Sequence, residues 1–234
     1  MIFSFKLKPI ICFLCVIALG FAGSYFFVNS LNSVNSNSVL NYTIVLDAGH
    51  GGIDGGSVGV NTKITEAEIN LNVTKSLETL LKGFGFNVVL TRHDSGGLYS
   101  MTAQNKKQDD MKKRKEIINN AKPNMVVSIH MNSYINAYEK GAQCFYLVGE
   151  SNGKTLAEHI QTEMQKQLVN ARKNCNHADL YILKCAEVPS VIVEGGFLSN
   201  PQEEELLVTT DYQNKIAYSV FCGIVKYYEQ TSSL

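Results

Sequence analysis

From residue 42 onward, short β-branched runs take turns with apolar stripes at helical spacing. Tyr42–Asp47, Phe86–Thr91, Met125–His130, Ala142–Val148 and Val188–Glu194 read as strands. Leu180–Leu183 reads as a further short strand. Between the runs, Ile69, Val73, Leu77 and Leu80 stripe a helix over 65–81. Residues 107–120 give a charged amphipathic helix; Leu156, Ile160, Met164 and Leu168 mark another, and Tyr212, Ile216, Val220 and Ile224 a last one. Thr65 with Glu68 fits a capping box, which starts the first helix at Glu66. Parallel strands need long crossover connections, usually helices. The pattern therefore predicts an α/β fold with a parallel or mostly parallel sheet and helices on both faces.

Binding groups in such sheets gather at the carboxyl ends of the strands. His50 follows the first strand, His130 ends the third, and Glu194 ends the last. Glu66 opens the helix after the first strand, whose N-terminus faces the same rim. Taken singly, each has an ordinary reading: a satisfied polar histidine, a helix-dipole partner, a turn residue before Gly195-Gly196. Together they form a set suited to zinc hydrolysis. Two imidazoles and one carboxylate hold Zn²⁺ and leave a position open for water. The remaining carboxylate acts as general base and then as acid.

Four motifs carry a family resemblance. They are Val45-Leu46-Asp47-Ala48-Gly49-His50-Gly51-Gly52, Glu66-Ala67-Glu68-Ile69-Asn70-Leu71, Ser128-Ile129-His130-Met131-Asn132 and Val193-Glu194-Gly195-Gly196-Phe197-Leu198-Ser199-Asn200. In this order they resemble the zinc-dependent N-acetylmuramoyl-L-alanine amidases of the Amidase_3 type, over essentially all of 42–230. The wording of the last motif, the short chain and the apolar N-terminal segment are most similar to the sporulation and germination members of that family. The resemblance implies a three-layer α/β/α domain with a six-stranded sheet. It implies Zn²⁺ as cofactor, with His50, Glu66 and His130 as metal ligands and Glu194 as the catalytic carboxylate. It also implies peptidoglycan glycan strands and stem peptides as partners, cleavage between N-acetylmuramic acid and L-alanine, a role in the spore cortex, and the forespore intermembrane or cortex region as the place of action. Some relatives are held off by an inserted helix over the metal, for which residues 95–111 are short; whether this enzyme is active alone or takes an activating protein partner is left open by the sequence.

Lys6 and Lys8 are the only charges within residues 1–40, and Pro9–Val28 carries none. Residues 1–28 thus read as a signal-anchor or signal peptide, and the length of the apolar run favours an uncleaved anchor over residues 9–28. The positive-inside rule places the body outside the cytoplasmic membrane. The Asn/Ser tract of residues 29–40 reads as a linker, with the catalytic domain over 41–234. With 21 basic and 21 acidic residues the chain is not a nucleic-acid binder living on electrostatics. Neither a P-loop ending nor a G-x-S-x-G elbow occurs. Cys144, Cys175, Cys185 and Cys222 show no C-x-x-C pairing. An exported domain could join Cys175 to Cys185, but one of this size folds without staples, and free thiols are expected for most of the four.

Three secondary expectations concern supporting residues. Asp47 either orients His50 or bonds to the Gly-rich loop. His177 is the best further candidate for substrate contact, whereas His93 and His159 take no role and Arg92 with Asp94 fixes a loop. The stretch Lys106–Lys115, basic but mixed with acids, reads as a solvated helix face in preference to a contact with an anionic wall polymer. Two competing functions remain open from sequence: another peptidoglycan-directed zinc hydrolase (a peptidase or deacetylase), and a non-catalytic wall-binding module. Product masses separate the first from an amidase, and retention of Glu194 speaks against the second.

Overall fold

The computed structural model describes residues 41–232. The expected anchor and linker lie outside the described residues. Among the described residues no helix is long and apolar enough to cross a membrane.

The chain runs β1 (Thr43–Ala48), α1 (Glu66–Phe84), β2 (Asn87–Leu90), α2 (Lys106–Ala121), β3 (Met125–Asn132), β4 (Gln143–Leu147), α3 (Ser151–Gln167), β5 (Asn176–Ala178), a 3-10 turn (Tyr181–Lys184), β6 (Ser190–Phe197), α4 (Pro201–Leu207) and α5 (Thr210–Ser232). The strands form one six-stranded sheet in the order β2-β1-β3-β6-β4-β5. Side chains alternate across it. Val45, Val126 and Ile192 meet Ile118 of α2 and Ile182, Leu183 and Cys185 of the 3-10 segment. The opposite face is covered by α1 and α3, both of which pack on α5. The α1 stripe buries Ile69, Val73 and Leu77 completely, with Leu81 rather than Leu80 continuing it.

The sheet is mixed, which corrects the expectation of a mostly parallel one. β1, β3 and β6 run parallel, but β4 pairs with β6 antiparallel and carries β5 with it. The cause is the connection after β3. Loop 133–142 holds no helix, so the chain cannot return to the starting edge and must run back down. Its two ends are tied to the body, through Tyr134 N–H to Ser199 Oγ at 2.9 Å and Gly141 N–H to Glu203 at 3.0 Å. Its middle projects, with Ile135 fully exposed and Tyr134 and Tyr138 largely so.

Three local expectations also change. Leu180–Leu183 is not a strand. The pairing partner of β4 lies upstream at Asn176–Ala178, and Ile182 and Leu183 plug the core from the 3-10 turn. The capping box does not form, because Thr65 makes no side-chain cap bond. The first amides of α1 are satisfied instead by loop carbonyls, Glu66 N–H to Ser57 O at 2.8 Å and Ala67 N–H to Gly55 O at 3.1 Å. Finally, α4 is an additional short helix, capped by the Asn200 side chain with Pro201 in its first turn.

Candidate metal centre

The rim formed by the ends of β1, β3 and β6 gathers the candidate residues. One ligand atom each from His50, Glu66 and His130 lies within 4.8 Å of the others. His50 Nε2 is 3.2 Å from Glu66 Oε1, and His130 Nδ1 is 3.0 Å from the same oxygen. The two rings stand 5.0 Å apart at 76°. Nitrogen, nitrogen and carboxylate oxygen facing one point is the donor set of an open zinc site, so the residues present could hold such an ion.

Each donor is held by its element. Glu66 sits in the first turn of α1 and accepts from Met131 N–H at 3.2 Å, Ser57 N–H at 2.9 Å and Asn70 Nδ2 at 3.3 Å. His50 adopts φ 61°, a left-handed conformation rare for a residue with a Cβ. It keeps that shape because Arg114 donates to the His50 carbonyl at 2.6 Å and to Ala48 O at 2.8 Å. Arg92 adds Ala48 O at 2.9 Å and Gly49 O at 3.1 Å. Two glycines make the close approach possible. A Cβ on Gly49 would overlap the His130 imidazole, and one on Gly56, at φ +67°, would lie 2.5 Å from Glu66 Oε2.

Asp54, not Asp47, contacts the second nitrogen of His50, with Oδ1 3.1 Å from Nδ1. Asp47 points inward and accepts from Arg114 at 2.5 Å, Thr91 at 2.7 Å and Ser128 at 2.6 Å. Burial works against the Asp47 carboxylate, but Arg114 and the two hydroxyls outweigh it and hold its pKa at about 2. Burial likewise opposes charge on Glu66, yet the two imidazoles keep that carboxyl far below its ordinary range. Burial lowers and Glu66 raises the pKa of each histidine, and the carboxylate wins in both.

Glu194 stands beside His130 in the β3–β6 ladder and lines the same cavity, of about 500 Å3, as His50 and His130. Its Oε2 is buried without a hydrogen-bond partner. Burial pushes its pKa up to about 7, with Glu66 adding and the imidazoles subtracting. An unpartnered acid that titrates near neutrality is suited to moving a proton.

The other histidines stay away. His93 is exposed, and His177 is exposed on the edge strand β5, opposite Tyr146 and outside the cavity lining. His159 joins α3 to α5 through Gln230 at 2.7 Å rather than facing solvent alone. Arg92 does fix the loop, but by donating to the Asp94 backbone carbonyl at 2.8 Å. Cys144, Cys175, Cys185 and Cys222 are all free. Sequence reasoning passed over Asp54, Arg114 and Asn70. Asn70 stands one helical turn after Glu66, and Arg114 one turn after Asp110, spacings that offered a signal for both.

The family model described as N-acetylmuramoyl-L-alanine amidase (Amidase_3) matches residues 44–226. Among curated proteins, the germination-specific N-acetylmuramoyl-L-alanine amidase of Bacillus subtilis (strain 168) is 32% identical over 191 residues, covering 80% of each chain. Among solved structures, the CwlD amidase from Clostridioides difficile in complex with the GerS lipoprotein matches with a TM-score of 0.78 at 40% identity, over 81% of this chain and 100% of that one. The catalytic domain of CwlV, an N-acetylmuramoyl-L-alanine amidase from Bacillus (Paenibacillus) polymyxa var. colistinus, matches with a TM-score of 0.71 at 30% identity, over 80% and 98%.

Proposed function

Because this chain belongs to the N-acetylmuramoyl-L-alanine amidase family, and so is an enzyme acting on peptidoglycan, we propose that it works with zinc held by His50, Glu66 and His130 and with Glu194 as its acid–base carboxylate. The convergence of two imidazoles and a carboxylate within 4.8 Å, beside a buried unpartnered acid, carries this reading. Zinc in such a site supplies polarisation of the scissile carbonyl and acidification of the attacking water. Glu194, buried beside the donors with Oε2 unpartnered, would accept a proton from the attacking water and return it to the nitrogen of the departing L-alanine. Asp54 accepts a hydrogen bond only from a protonated His50 Nδ1, which leaves the Nε2 lone pair facing Glu66. The buried ties of Arg92 and Arg114 to the His50 loop hold these atoms in place without spending a conformational step.

The test pairs metal analysis with product masses. Purified wall fragments should yield a free lactyl carboxylate and an intact stem peptide. Glu194→Gln should keep zinc and lose at least about a hundredfold in kcat/KM. A Glu194→Gln enzyme with undiminished turnover removes that residue from the chemistry.

The remaining parts of the proposal concern place and company. The name of the B. subtilis relative supports a role in germination, and the motif resemblance carries the proposal on to spore cortex maturation. The C. difficile neighbour, solved with a lipoprotein, supports a protein partner, and activation is the role we propose for it. Export, with residues 9–28 as membrane anchor, follows from the uncharged run behind Lys6 and Lys8. Membrane fractionation of the full chain, compared with residues 41–234, tests it; full-length protein found wholly in the cytoplasmic fraction overturns it.

A further inference from the structure

The cavity beside Glu194 is closed on one side by the start of α2, where Lys106 and Lys107 line it. Lys106 is half-buried, its Nζ 5.5 Å from the centre of the Tyr99 ring. Tyr99 is itself fixed, its hydroxyl accepting from Ile53 N–H at 2.9 Å. The acids of this wall are already engaged. Asp54 holds His50 Nδ1 and Gly56 N–H, Asp109 accepts from Ser100 N–H, and Asp110 accepts from Arg114 and Leu98 N–H. Among the described residues neither lysine belongs to an ion pair. The rest of the lining near them is largely apolar: Ile53, Met111, Leu180 and Tyr181. At about 500 Å3 the space is of the size that encloses small ligands.

Two cations outside any ion pair, Lys106 over the Tyr99 ring and Lys107 acting on the already engaged Asp54 carboxylate through its field, stand in the groove that holds Glu194 and call for an anion in the ligand. The muramoyl side of the bond offers none, since its lactyl carboxyl is tied up in the amide. The peptide side offers carboxylates. The geometry points to Lys106 and Lys107 as the recognition site for a free carboxylate on the stem residue that follows L-alanine, with the peptide's alkyl portions against Ile53, Met111 and Leu180. The chain would thereby prefer stems whose second residue is an unamidated acid. This rests on the amidase reading of the same site, and extends it to specificity.

The experiment uses short glycan strands carrying L-alanyl-D-glutamyl stems, prepared with the α-carboxylate free or amidated. Full-length zinc-loaded enzyme should cleave the free form with a kcat/KM about tenfold higher, the scale of a partly exposed charge-assisted contact. Calorimetry with Glu194→Gln should show a similar preference in binding alone. In Lys106→Ala/Lys107→Ala the ratio between the two substrates should fall towards one, and Lys106→Arg/Lys107→Arg should restore it. Equal cleavage and equal binding of the two forms by the unaltered lysine pair overturn the proposal, as does a preference that survives in the double alanine variant. If the wild-type enzyme cleaves neither form while the Glu194→Gln protein still discriminates between them, the carboxylate site stands and the amidase reading fails.

Discussion

Asp54 and Asp47 flank the same histidine and do different work. Asp54 returns to His50 because Gly51 and Asp54 exchange backbone hydrogen bonds of 2.8 and 3.2 Å, folding the loop back on itself. Asp54→Ala should leave the fold intact and weaken zinc binding about 10- to 100-fold, read by competition with a chelating dye. Unchanged affinity would free His50 from any dependence on it. Asp47 is a stability residue. Its folded pKa lies below the ordinary 3.8, at about 2. Its contribution is therefore complete above the unfolded value and disappears as pH falls through about 2, a span worth about 2 kcal/mol. Asp47→Asn should flatten the loss of Tm between pH 4 and 2, at the expense of stability near neutrality, where Arg114 is left buried without its partner. His50, Glu66, His130 and Glu194 could be picked out in the sequence because they fall at strand ends or at a helix start, where topology alone fixes the rim. The Asp47–Asp54 distinction could not, because it depends on a turn whose dihedrals no residue pattern specifies.

At the level of elements, α4 does more than its seven residues suggest. Its adjacent acids reach to two sides. Glu203 accepts from Gly141 N–H and from Phe197 N–H at 2.8 Å. Glu204 accepts from Asn61 N–H at 3.0 Å and Thr62 N–H at 2.8 Å, pinning the tip of the loop that leads into Glu66. Glu204→Ala should therefore cost about 2–3 kcal/mol in a denaturant titration, from buried charged hydrogen bonds left unmade. A midpoint within error of wild type would show that the loop holds itself. The cap of α4 was readable in Asn200-Pro201. β5 was not, because Asn176-His177-Ala178 is a polar edge segment with no alternation. The apolar Leu180–Leu183 drew the strand expectation instead, although its Ile182 and Leu183 enter the core from a 3-10 turn.

For the molecule as a whole, the α/β layering followed from the alternation of strands and helices, while the reversed direction of β4 and β5 did not. Helical stripes report crossovers, but nothing in an apolar run states which way it points. Since His50 lies in the loop after β1, Glu66 in α1 and His130 in β3, a bound ion would tie that loop, α1 and β3 together. Stripping zinc with a chelator should lower Tm by about 5–10 °C, the effect expected for a ligand held at about a hundred times its Kd in a domain of this size. Scanning calorimetry before and after zinc is restored checks it; identical melting curves would show that the folded domain gains nothing from the ion. The loop that turns β4 around has a use in the laboratory. With both ends tied and Ile135 standing wholly in solvent, a short epitope spliced in at that residue should leave the sheet and the metal donors undisturbed. It would give a tethering handle on the same rim as the reaction, through which the enzyme could be held to a surface with its working side at a known orientation.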